Sequence, residues 1–116
     1  MTGFTGPPSV EQIKPDQVRI SWKDKVEYRE CADDFVVKYW IKNQTTKKPG
    51  RYSGMEYAIS DLVDPSSDGI DVTVEPGIKY VFQSVAREDK GLVRGTEWNY
   101  SPSVEFKTIS NTGTIF

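Results

Sequence analysis

Short apolar runs with a two-residue period, each bounded by clusters of Gly, Pro, Asp and Ser, constrain this chain more than any other feature. No segment of 11 or more residues sustains the 3.6-residue repeat of an amphipathic helix, so the expected elements are strands. Residues 17–22 show the pattern most cleanly: Val18, Ile20 and Trp22 fall on one face, Arg19 and Ser21 on the other. Residues 34–41 set Phe35, Val37, Tyr39 and Ile41 against Val36, Lys38 and Trp40. Further strands are expected at 7–13, where prolines are tolerated at the start, and at 55–60, 70–74, 78–87 and 102–108. The last directs Val104 and Phe106 inward. Polar, turn-rich segments at 42–54, 61–69 and 88–101 join them. Seven short strands at this spacing predict an all-β fold, a seven-stranded antiparallel β-sandwich.

At 116 residues the chain suits one domain, expected at 7–108, with an N-terminal linker at 1–6 and a C-terminal linker at 109–116. A net charge of −2, with Lys and Arg scattered, gives no basic stripe for nucleic acid. No apolar run approaches the roughly 20 residues of a membrane span. The single cysteine, Cys31, excludes an internal disulfide framework. Catalysis has little support. With no histidine in the chain, His-based triads and HExxH zinc sites are excluded. Gly91-Leu92-Val93-Arg94-Gly95 lacks the pattern of a phosphate loop. Asp61, Asp64, Asp68 and Asp71 do not follow calcium-loop spacing, and Pro65 interrupts them. Neither a cofactor nor a metal is expected.

From about Pro7 to Thr108 the chain resembles the fibronectin type III domain family. The resemblance rests on Pro7-Pro8-Ser9-Val10, on Trp22 closing the second strand, and on Phe35, Val37 and Tyr39 in the third. It rests also on Pro76-Gly77-Ile78-Lys79-Tyr80 with Phe82, Ala86 and Gly91, and on Ser101-Pro102-Ser103-Val104-Glu105-Phe106-Lys107-Thr108. It implies an immunoglobulin-like sandwich in which Trp22 fills the space between two sheets. It also implies that Tyr80 is a corner tyrosine whose hydroxyl returns to backbone near Val74. Ser84 departs from the pattern, standing where an apolar residue is expected; either its hydroxyl bonds to backbone or a bulge re-aims it. The 42–71 connection is longer than usual for the family.

The alternation turns Val36 and Trp40 outward, and on the neighbouring strand Val81 and Val85. These four form an expected apolar patch on an exposed face, a candidate surface for a partner protein or a neighbouring domain. Coverage by long side chains and the sequon-bearing loops, or a register shifted by one residue, is the alternative. Arg94 and Trp98, in the loop expected at 88–101, are candidate additions, since Trp and Arg are typical interface anchors. Asn43-Gln44-Thr45 and Asn99-Tyr100-Ser101 are N-glycosylation sequons, both in expected loops. The combined expectation is a non-catalytic module of a larger, extracellular or cell-surface receptor, adhesion or matrix protein, acting in protein–protein contact or as a spacer. An accessory module of an enzyme, or a cytoplasmic repeat of a cytoskeletal protein, is the alternative.

Overall fold

The computed structural model describes residues 1–42, 46–47, 53–54 and 57–110. In chain order its strands are β1 (Gly3–Phe4), β2 (Ser9–Lys14), β3 (Gln17–Ser21), β4 (Val26–Glu27), β5 (Asp34–Ile41), β6 (Thr46–Lys47), β7 (Ser53–Gly54), β8 (Ala58–Ile59), β9 (Gly69–Thr73), β10 (Lys79–Asp89), β11 (Thr96–Tyr100) and β12 (Val104–Lys107). One short 3-10 turn, Arg29–Cys31, precedes β5. Two layers carry the fold. The smaller sheet has the order β2-β3-β9 and the larger β11-β10-β5-β8, with β12 continuing beside β10 where β11 leaves off. Counting β11 and β12 as one interrupted edge gives three strands in one layer and four in the other, the expected seven-stranded antiparallel sandwich.

The core lies between the layers and comes from the inward residues of each alternation. Val18, Ile20, Trp22 and Val72 arrive from the smaller sheet's side, and Phe35, Val37, Tyr80, Phe82 and Ala86 from the larger. Trp22 is fully buried, its ring 5.3 Å from that of Phe35, and its Nε1 donates to the Ser67 carbonyl at 3.2 Å. Burying its polar edge is thereby compensated. The hydroxyl of Tyr80 accepts from the Glu75 N–H at 2.9 Å, one residue beyond the expected target. The Thr108 hydroxyl ties the same turn, accepting from Ile78 N–H and donating to the Glu75 carbonyl. Gly77 supplies the left-handed residue of this turn, with φ of 74°.

The chain-terminal edge is interrupted for a definable reason. Between the pairs Phe82↔Val104 and Val85↔Tyr100, Gln83 and Ser84 of β10 face three residues, Ser101, Pro102 and Ser103. The extra residue is a bulge. Pro102 has no N–H to give the ladder, and the Ser101 hydroxyl replaces a backbone acceptor, taking the Ser84 N–H at 2.9 Å. Ser84 itself points inward, fully buried, and its hydroxyl has no partner among the described residues. The bulge therefore lies in the strand facing Ser84.

Two segments depart from expectation. Residues 1–6, read as a linker, pack against the domain: β1 pairs with β4, and Phe4 packs edge-on against Phe35. Thr2 is fully buried, its N–H on Glu88 Oε2 at 2.8 Å and its hydroxyl on the Tyr28 carbonyl at 3.0 Å. The loop expected at 88–101 contains the end of β10 and all of β11.

Candidate functional site

The outer face of the larger sheet is built from cross-strand rows that the registers define. Trp98, Arg87 and Asp34 form one row; Tyr100, Val85 and Val36 the next. Gln83, Lys38 and Ile59 form a third, and Glu105, Val81 and Trp40 a fourth. The predicted faces of β5 and β10 are thus the observed ones. Neighbouring strands stand about 4.8 Å apart, so a contact between strands two apart spans the one between them.

Two clusters on this face join β5 to β11. Asp34 holds Arg87 with two hydrogen bonds, 2.6 and 2.9 Å, and the guanidinium lies 5.3 Å from the Trp98 ring centre. The Lys38 ammonium lies 4.4 Å from the Tyr57 ring centre, 5.3 Å from that of Tyr100 and 5.6 Å from that of Trp40. Lys38 stands on β5 and Tyr100 on β11, so this contact spans β10. This layer corrects one expectation. Val36, Val81 and Val85 lie on the outer face but are buried, with exposures of 0, 6 and 0%. They are short residues on a face whose neighbours are long, and the cation–aromatic layer excludes water from them. Trp40 is half-buried, unlike the fully buried Trp22.

The solvent-facing part of the site belongs to residues other than the valines. Tyr57 is 60% and Tyr100 49% exposed, and Ile59 is also exposed. With Lys38 and Trp98 they line a shallow, open depression of about 360 Å³. Only Trp98 among these five was a sequence candidate. The alternation did place Lys38 on the outer face beside Trp40, but Tyr57 and Tyr100 reach it only through strand pairing.

The remaining candidates lie elsewhere. Arg94 is exposed in the turn between Gly91 and Gly95, beside the fully exposed Leu92 and Val93. Asn43 falls outside the described residues. Asn99 is not in a loop: it lies within β11 and its side-chain nitrogen, the atom a glycan would occupy, donates to Glu88 Oε2 at 2.6 Å. Burial pushes the Glu88 carboxyl up, but the Thr2 N–H and the Lys90 ammonium more than offset this and hold it below the usual glutamate range. Three of the four aspartates are individually engaged: Asp64 accepts from Ser66, Asp68 pairs with Arg29, and Asp71, within β9, pairs with Arg19.

Strand order, corner tyrosine and inter-sheet tryptophan together match a known architecture. The fold is fibronectin type III-like. The third fibronectin III domain of the human KIAA0343 protein superposes with a TM-score of 0.64 at 17% identity, covering 98% of this chain and 92% of that one. A computationally redesigned β-sandwich protein gives 0.54 at 21% identity, over 95% and 96% of the two chains. A myokine structure gives 0.52 at 18%, over 92% and 99%. No protein-family model matches the chain, and no curated protein matches it in sequence. At these identities the likeness is one of fold.

Proposed function

We propose that this chain is a non-catalytic module that makes protein–protein contact through the outer face of its larger sheet, within a larger extracellular receptor, adhesion or matrix protein. The observation that carries the contact reading is the pair of exposed rings, Tyr57 and Tyr100, standing on either side of Lys38 above a floor of buried valines. Rigid aromatic rings over a water-excluding base are the usual composition of an interface hot spot. The extracellular reading draws on the sequon at Asn43 alone, because Asn99 is committed to Glu88. A photoreactive residue at Tyr57, compared with one at Thr73 on the smaller sheet, tests the contact reading in the parent protein. Adducts with a partner or neighbouring domain are expected from position 57 and not from position 73; equal yields would contradict it. A second reading, contact with a neighbouring domain through the exposed Leu92 and Val93, predicts adducts from position 92 instead.

A further inference from the structure

Lys38 differs from the other cations of the larger sheet's outer face. Asp34 closes Arg87 on two oxygens, and Lys42 and Lys79 both reach Glu105. Lys38 has no carboxylate and no hydrogen-bond acceptor among the described residues; its ammonium is met by three aromatic rings. Ring faces attract a cation but offer no lone pair to its three N–H donors. The side chain is half-buried, so part of its hydration is already displaced. Lys38 lines the open depression together with Ile59 on β8 and Trp98 on β11, at opposite ends of the sheet order.

Resting on the contact-face reading above, we propose that the partner is a protein segment presenting a glutamate or aspartate flanked by apolar residues, with its carboxylate seated on Lys38 Nζ. A carboxylate supplies the missing acceptor in a charge-assisted hydrogen bond, and the displaced water makes that bond stronger than at an open surface. A phosphoryl group fits less well. It carries up to two charges and three acceptor oxygens, whereas the depression is lined by one cation, with Arg87 already held by Asp34. The apolar flanks of the segment would cover Ile59 and the Trp98 ring.

Nuclear magnetic resonance titration with two blocked peptides, Ac-Ala-Leu-Glu-Leu-Ala-amide and its glutamine counterpart, tests the inference on the intact chain. The acidic peptide is expected to shift resonances of Lys38, Tyr57, Ile59 and Tyr100, and to bind at least about tenfold more tightly than the neutral one. Lys38→Met should remove the difference between the peptides, and Lys38→Arg should preserve it. Equal affinity for both peptides, or a difference that survives in Lys38→Met, would overturn the acidic partner while leaving the contact face standing. Absence of outer-face shifts with either peptide would also overturn it, and the crosslinking yields then decide the contact face separately.

Discussion

Each outer face of this sandwich carries a two-pronged Arg–Asp pair between adjacent strands, and the two pairs live in different surroundings. On the smaller sheet Arg19 meets Asp71 at 2.8 and 3.2 Å, with side chains 54 and 32% exposed. Its neighbours on that face include Gln17, Ser21 and Thr73, and the alternation there is the ordinary one of apolar residues in and polar residues out. On the larger sheet Arg87 meets Asp34 at 2.6 and 2.9 Å with exposures of 26 and 18%, and the guanidinium also covers Trp98. Beside it lie valines that water does not reach. The same ion pair is a solvated ornament on one face and part of a cover on the other, so pairing geometry alone does not determine its role. The side chains packed beside it do.

The most severe way to break this contrast is to place one charge on each face. Val85→Asp should destabilise the fold by more than about 3 kcal/mol, because an unpaired carboxylate would be forced under the layer or would disrupt it. Thr73→Asp, at an exposed position of β9, should stay within about 0.5 kcal/mol of the parent. Denaturant melts of both variants check this, and similar losses would mean that the two faces are equally solvated.

A finer comparison removes the matched arginines. Arg87→Met leaves Asp34 without its partner and should cost about 1–3 kcal/mol. Arg19→Met should cost clearly less, because an exposed pair is screened by solvent. Equal losses would make the larger sheet's pair as peripheral as the other. On the inner face of β10, Ser84→Ala removes a buried hydroxyl without a partner and should raise stability by about 1 kcal/mol. A loss in the melt would show that the hydroxyl is satisfied. The smallest effect belongs to Glu105, at the rim of the outer face, whose carboxyl the hydrogen bond from Lys42 and then Lys79 hold below the usual 4.5. A depressed folded-state value gives stability that is present above 4.5 and lost as pH falls through the folded value. Glu105→Gln should therefore flatten the acid side of the stability–pH profile slightly; an unchanged profile would contradict the linkage.

Much of the architecture was legible because period-two alternation determines which way each side chain points. It oriented Val36, Trp40, Val81 and Val85 correctly, and the Pro76-Gly77 turn before Tyr80 identified the corner. It did not show how far those outward residues are covered, since their cover arrives from strands with weak sequence signals. In Thr96–Tyr100 the inward residues are Glu97 and Asn99 and the outward ones Trp98 and Tyr100, an inverted polarity that reads as loop. β8 has two residues, too few to establish a period. Asn99 shows the same limit: a sequon is a local pattern, while its capture by Glu88 depends on strand pairing and on the buried Thr2.

Lys38 is a cation held among three aromatic rings on the outer face of the larger sheet. Proton chemical shifts of its ε-methylene group measure this directly, because ring currents from Tyr57, Tyr100 and Trp40 act on protons beside the ammonium. These protons should resonate well upfield of those of the other lysines and move back in Tyr57→Leu and Tyr100→Leu. Lys38 ε-protons at the position of an unstructured lysine, unaffected by either substitution, would contradict it.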